Sequence, residues 1–106
     1  MFTLVEKDIV NSVKQNIRLI ILTPKGSDIH RPEFGSDTWQ YVDQPLTALT
    51  VGKIKAEVVE AIETWEPRVK VKAVSVEKDG VNARMKIGII AEIPELEEEI
   101  EVPVWM

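Results

Sequence analysis

The chain has 106 residues, of which 44% are hydrophobic and 29% are charged, and its net charge is −5. This length suits one domain with a single core, so we expect residues 1–106 to form one unit. The absence of cysteine excludes disulfides, a thiolate nucleophile and cysteine-ligated metal sites. An acidic chain is unsuited to sequence-independent nucleic-acid binding, and no apolar stretch approaches membrane-spanning length, so we expect protein partners and an unexported chain.

Two helices are predicted in the first two thirds of the chain. Apolar residues recur every three to four positions from about Val5 to Leu22, and the second half of this helix is apolar nearly all round. Such a helix end is buried by the core, by a partner, or by both. A second helix should begin after Thr47, which is a good N-cap, and end at Trp65-Glu66-Pro67-Arg68, because proline disfavours helical geometry at the residue before it.

An irregular segment should join the two helices. Proline and glycine in Thr23-Pro24-Lys25-Gly26 predict a helix stop and a turn, and we expect Phe34 to anchor the following loop in the core. Ser36 or Asp37 is expected to cap a short helix that carries Trp39, Tyr41 and Val42.

The last third of the chain alternates with the period of a β-strand. Valines on both sides of Ala73 can share the core face only if the first strand bulges near that residue. Asp79-Gly80 predicts a hairpin turn, residues 81–93 predict a second strand, and Pro94 predicts a longer connection to a third. Pro103 lacks a backbone donor, so the third strand should lie at a sheet edge. The predicted fold is α+β, with helices on one face of a three-stranded antiparallel sheet formed by the C-terminal half.

Catalytic interpretations have little support. The one histidine, His30, stands in a loop without a nucleophile elbow or an oxyanion motif. Glu33, Asp37 and Glu66 are the carboxyls nearest an ordered loop and would be the candidates for glycoside hydrolysis, but any acidic protein offers such pairs. No spacing matches a metal-ligand motif, so we expect no enzyme activity, no cofactor and no small-molecule substrate.

Two surface features point to protein binding. An open edge strand can pair with a strand from another chain. The glutamates of residues 95–101 are interpreted as the solvent-exposed face of the third strand. Glu66 and Arg68 either form a local salt bridge at the helix end or present a charged knob to a partner, and the residues alone favour the local role.

Three segments in order resemble a known family. Residues 17–26, residues 31–36 and Trp65-Glu66-Pro67-Arg68-Val69 are similar to the baseplate wedge family of contractile tails, called baseplate protein W or lysozyme-like wedge protein in phages, with a counterpart in type VI secretion systems. The resemblance implies a structural protein that docks against other wedge proteins and starts polymerisation of the tail sheath by strand exchange with sheath subunits. It implies assembly in the cytoplasm and a final place in the baseplate of a virion tail or equivalent particle.

Three groups of residues are the resulting candidates for protein interaction. They are the corner Glu66, Pro67 and Arg68, the loop Arg31, Pro32, Glu33, Phe34 and Gly35, and the edge-strand residues Val102, Val104 and Trp105. The alternatives that stay open are a muramidase-type glycoside hydrolase and a generic protein-interaction adaptor.

Overall fold

The computed structural model describes residues 4–79 and 84–106. Helices α1 and α2 lie on one face of an antiparallel sheet with strand order β1-β2-β3, which confirms the predicted α+β architecture. Helix α1 packs against β3 and α2 packs against β1. No helix in the described part of the chain is long and apolar enough to cross a membrane. The elements are α1 (Leu4–Leu22), α2 (Ala48–Trp65), β1 (Lys70–Asp79), β2 (Arg84–Ile93) and β3 (Glu98–Trp105), with 3-10 turns at Thr38–Tyr41 and Pro94–Leu96.

Helix α1 buries one face and leaves the other open. Val13, Ile17 and Ile21 are fully buried in the core. Leu19 and Leu22 are 52% and 38% exposed, so this chain by itself buries only one side of the apolar helix end. The opposite side is available to a partner.

Helix α2 begins and ends where the sequence predicts. The Thr47 hydroxyl accepts a hydrogen bond from the backbone N–H of Thr50, which satisfies one of the free donors of the first turn. Ile54, Val58 and Ile62 recur at helical spacing and are fully buried. The helix ends at Trp65 because Pro67 has no N–H with which to extend it.

The predicted side-chain cap of the short helix is wrong. Asp37 occupies the N-cap position of the 3-10 turn, but its carboxylate makes no capping hydrogen bond. The Ser36 side chain is buried and its hydroxyl donates to the carbonyl of Ile21, 2.9 Å away. Because the last carbonyls of a helix lack intrahelical partners, Ser36 serves the end of α1 rather than the start of the next turn.

A bulge in β1 keeps its valines on the core face, as predicted. The β1–β2 register shifts between Val71 and Ala73, and Val71, Val74 and Val76 all pack against the core. The predicted turn residue Gly80 and strand positions 81–83 lie outside the described residues.

The register of the sheet determines which backbone groups face its open edges. Met85 and Met106 exchange both backbone hydrogen bonds, with N to O distances of 3.1 and 2.8 Å. Bonded and non-bonded pairs alternate in an antiparallel ladder, so Pro103, opposite Gly88, is in a non-bonded pair and its nitrogen faces away from β2. Strand β3 is an edge strand in the order β1-β2-β3, and Pro103 removes no hydrogen bond between β2 and β3. The turn at Pro94–Leu96, followed by Glu97 at φ 53°, is the longer connection that Pro94 predicts.

Candidate protein-interaction site

The corner after α2 is organised around a buried carboxylate. Glu66 is only 2% exposed. Its two oxygens accept hydrogen bonds from Nε and Nη2 of Arg68 at 2.7 and 2.8 Å, the forked geometry that suits a guanidinium. The amide of Asn16 on α1 donates to the same carboxylate at 2.9 Å. Glu66 and Arg68 therefore bind each other, and together with Asn16 they tie the corner to α1.

These contacts hold both groups in their charged forms. The hydrogen bond from Arg68 lowers the pKa of the Glu66 carboxyl, outweighing the burial that would raise it. The same hydrogen bond raises the pKa of Arg68. A carboxyl held ionised in this way is unsuited to act as the general acid of a glycoside hydrolase.

Short-range hydrogen bonds shape the loop that precedes Phe34. The Asp28 carboxylate accepts the backbone N–H groups of His30 and Arg31 at 2.9 and 3.2 Å, and the first of these bonds is the main cause of a lowered Asp28 pKa. The N–H of Gly26 donates to the carbonyl of Pro32 at 2.8 Å. His30 thus contributes its backbone N–H to the shape of the loop.

Gly35 brings the loop back against the end of α1. It has a φ of 112°, which favours glycine, and a Cβ built on it would meet the backbone carbonyl of Thr23. The N–H of Ser36 donates to that same carbonyl at 2.9 Å. Pro24 and Ser36 form an isolated parallel bridge, so the two motifs around residues 24 and 35 are one folded unit.

An aromatic contact joins the loop to the corner. The ring of Phe34 meets that of Trp65 edge to face, with centroids 5.2 Å apart. The guanidinium carbon of Arg31 lies over the Phe34 ring, 4.2 Å from the ring centroid. Phe34 is buried, as predicted. The two sequence motifs are therefore adjacent in space, although Phe34 and Trp65 are 31 positions apart in the sequence.

Two shallow grooves flank this aromatic pair. One, of 310 Å³, runs between the loop and α2, and it includes Glu33, Gly35 and Thr64. The other, of 190 Å³, lies between the loop and α1, where Leu19 and Arg31 form its exposed rim. We call the surface formed by Leu19, Arg31, Phe34, Trp65 and Arg68 the docking corner.

The edge-strand candidates are placed differently from the loop and the corner. Val102 and Val104 face the core and are buried, and their backbone groups belong to bonded pairs with β2. Trp105 faces outward, is 44% exposed, and lies beneath the cations of Arg84 and Lys86. The backbone groups at the open edge belong instead to Glu99, Glu101 and Trp105.

Sequence reasoning missed Asn16. It lies 50 positions from Glu66, and an asparagine on a helix carries no local signal of such a contact. The one general indication is that a buried carboxylate needs hydrogen-bond donors, so a buried Glu66 would require donors besides Arg68. Within residues 4–79 and 84–106, no three histidine or acidic side chains are grouped to hold a metal ion.

Solved structures of similar fold belong to contractile machines. A chain of the anti-feeding prophage baseplate matches with a TM-score of 0.71 and 26% identity, covering 79% of this chain and 68% of that one. A chain of the postcontracted pyocin R2 baseplate matches with a TM-score of 0.68 and 32% identity, covering 78% and 83%. A Geobacter sulfurreducens protein described as a tail lysozyme matches at 0.82 and 25%, covering 100% and 93%. The fold is thus that of contractile-tail baseplate proteins.

The family is defined by sequence as well. Residues 7–95 match the family Baseplate wedge protein gp25, and the chain belongs to this family. It is 34% identical to baseplate wedge protein gp25 of Enterobacteria phage T4 over 67 residues, 63% of this chain and 51% of that protein. It is 36% identical to baseplate protein W of Escherichia phage P2 over 63 residues, 59% of this chain and 55% of that protein. The aligned part spans about half the length of each phage relative.

Proposed function

We propose that this protein, acting as one unit, docks in the baseplate wedge and initiates sheath polymerisation by offering its C-terminal strands for sheet extension. Its partners are then other wedge proteins and tail sheath subunits, with assembly in the cytoplasm. The observation that carries the proposal is the edge of β3, which pairs only with β2 among the described residues. Unpaired edge groups are a template for a strand from another chain.

The chain is proposed to be non-enzymatic. The lysozyme description belongs to the Geobacter protein, and here the Glu66 carboxylate is bound to Arg68 and Asn16. Both phage relatives carry the names of baseplate proteins. A scaffold role fits these observations better than hydrolysis, and better than a generic adaptor without a tail connection.

The strand-addition step is tested by a proline at Glu101. This residue is opposite Ile90 in a non-bonded pair, so its N–H faces the open edge and proline there removes no β2–β3 hydrogen bond. Particles carrying Glu101→Pro should have baseplates without sheath in electron micrographs, while the free energy of unfolding changes by less than about 1 kcal/mol. The matched control is Glu101→Thr, which keeps the donor. Full-length sheaths on Glu101→Pro particles would refute addition at β3.

The wedge-docking step is tested at Leu19, on the rim of the docking corner. Leu19→Glu places a charge on a half-exposed apolar surface and should remove the protein from purified baseplates, because a docked partner would have to bury that charge. Leu49→Glu is the matched control, since Leu49 is 69% exposed at the start of α2. Both variants should unfold within about 0.5 kcal/mol of the wild type. Equal recovery of both in baseplates would contradict docking through this corner.

Arg68 is a poor site for that test. Charge reversal there would place a second carboxylate beside the buried Glu66 and remove its main partner. Loss of assembly would then report on the stability of the fold as well as on docking. Substitution of the half-exposed Leu19 tests docking without a comparable loss of stability.

A further inference from the structure

The groove between the loop and α2 has an apolar floor and an acidic rim. Its volume is 310 Å³. Ala61 is 4% exposed and Trp65 is half-buried, so their side chains form the floor. Glu33 on the loop and Glu60 on α2 are exposed, and they bring carboxylates from the two elements that form the walls. The groove thus combines an aromatic surface with two negative charges.

Lys25 lines the same groove but is already engaged by other carboxylates. Its Nζ lies 3.3 Å from Oε1 of Glu57 and 3.7 Å from Oδ2 of Asp37. Glu60 is also near enough to interact with it electrostatically. A single ammonium group shared among three carboxylates leaves the groove with an excess of negative charge.

The neighbouring cations do not neutralise the rim. Arg31 pairs with Asp28 and lines the other groove, between the loop and α1. The two lysines of α2 are five and seven positions before Glu60, which is more than one helical turn away. In the described part of the chain, no side chain forms a salt bridge with Glu33 or Glu60. Both carboxylates are therefore available to a cation from another molecule.

Arginine suits this combination of groups better than lysine does. Its planar guanidinium stays charged and carries five N–H donors, and its face can pack on an aromatic ring while its edge bonds carboxylates. Its aliphatic stem can cover a small apolar surface such as that of Ala61. A lysine offers a compact charge that is more strongly hydrated, so its removal from water costs more.

We propose that this groove receives an arginine side chain of a partner protein. The guanidinium lies between Glu33 and Glu60 beside the Trp65 ring, and the aliphatic stem lies on Ala61. Because Trp65 also belongs to the docking corner, the inference rests on the proposed docking in the wedge and adds the chemistry of one contact. Salt should weaken this contact, since both carboxylates are exposed.

Binding of a small arginine probe tests the chemistry of the groove. The isotope-labelled full chain is titrated with the capped tripeptide alanine-arginine-alanine, and the indole N–H signal of Trp65 should shift until it saturates. The same peptide with citrulline, which has nearly the same shape without the charge, should bind at least about threefold more weakly, and so should the lysine peptide. Glu60→Gln should weaken binding of the arginine peptide about threefold, whereas Glu77→Gln, a change at an exposed glutamate of β1, should have no effect.

Recovery in purified baseplates tests whether a partner uses the groove. Glu60→Lys places a cation on the rim and should lower the recovery of the protein in baseplates at least about tenfold, because the new charge repels the partner's arginine. Glu77→Lys makes the same change of charge on β1 and should leave recovery unchanged. Both variants should unfold close to the wild-type denaturant midpoint, since both positions are exposed.

Four results would overturn this inference. Equal binding of the citrulline peptide would exclude recognition of charge, and equal binding of the lysine peptide would exclude recognition of the guanidinium. An unshifted Trp65 signal would show that the probe does not enter the groove. Normal recovery of Glu60→Lys in baseplates would refute use of the groove by a partner, and Leu19→Glu in the same assay would still decide whether the docking corner binds the wedge.

Discussion

Replacing Gly35 with alanine should lower the free energy of unfolding by about 3 kcal/mol or more. Two effects add at this position. A positive φ of 112° is unfavourable for any residue with a Cβ, and the new methyl group would be driven onto the backbone carbonyl of Thr23. That carbonyl is backbone and accepts the Ser36 N–H, so it cannot move without breaking the bridge to the end of α1. Chemical denaturation monitored by tryptophan fluorescence would measure the loss.

Gly26 offers a matched control in the same fold. Its φ of 87° also favours glycine, but a Cβ there would have nothing within 4 Å. Gly26→Ala should therefore cost only the backbone term, about 1 kcal/mol. Equal losses in the two variants would show that the close approach to Thr23 contributes nothing. The loss at Gly35 should also displace Phe34 from Trp65 and so disturb the docking corner.

Removal of the Arg68 side chain should destabilise the protein at neutral pH by about 2–3 kcal/mol. Arg68→Ala leaves the Glu66 carboxylate buried without the two short charged hydrogen bonds that balance its lost hydration. The expected loss is below the full range for a buried ion pair, because the Arg68 side chain is 37% exposed and water screens part of the interaction. Arg68→Lys should lie between the wild type and alanine, since an ammonium group keeps the charge but not the fork.

Glu66→Gln removes the buried negative charge, whereas Arg68→Ala leaves that charge buried without its partner, so the two variants show which effect is larger. It should cost less than Arg68→Ala, because the guanidinium that it leaves unpaired is partly hydrated whereas the carboxylate is not. A larger loss for Glu66→Gln than for Arg68→Ala would contradict the view that the buried carboxylate is the costly partner.

The interaction of Arg68 with the Glu66 carboxylate should also make the stability of the protein depend on pH in a definite direction. The folded-state pKa of Glu66 lies below its ordinary value of 4.5, so its contribution is fully present above pH 4.5 and is lost as pH falls through the folded pKa. Without Arg68, burial dominates and favours the protonated carboxyl in the folded state. The stability difference between wild type and Arg68→Ala should therefore be largest near pH 7 and shrink in acid. A difference independent of pH would mean that Glu66 is not its source.

Local chemistry made much of the fold predictable. Pro67 ends α2 and Thr47 begins it, because each acts on backbone groups within a few positions. Strict alternation along β2 predicts its buried face, and the valines around Ala73 predict the bulge. Asp37 occupies the predicted N-cap position of the turn at Thr38–Tyr41, but neither candidate side chain caps it: the Ser36 hydroxyl bonds the Ile21 carbonyl, and the Asp37 carboxylate lies 3.7 Å from the Lys25 ammonium. The preference of serine and aspartate for N-caps reflects hydrogen bonds to nearby backbone groups, whereas here both side chains interact with residues distant in the sequence.

The candidate site was predictable as motifs but not as a surface. The 31–35 loop and the 66–68 corner were each recognisable in the sequence, and their contact through Phe34 and Trp65 was not. Val102 and Val104 lie on the predicted edge strand, yet their backbone groups are paired with β2. Sequence alternation reports which face a side chain occupies, whereas the direction of the N–H groups depends on pairing register.

The sequence by itself determined where the two helices begin and end, the α+β class and the edge position of the last strand. The tertiary structure decided which side chains bind Glu66, which side of α1 stays exposed at Leu19, and which strand of the sheet has only partly buried valines. The reason is the range of the interactions. Caps, prolines and alternation act within a few residues, whereas burial and ion pairing depend on atoms that only folding brings together.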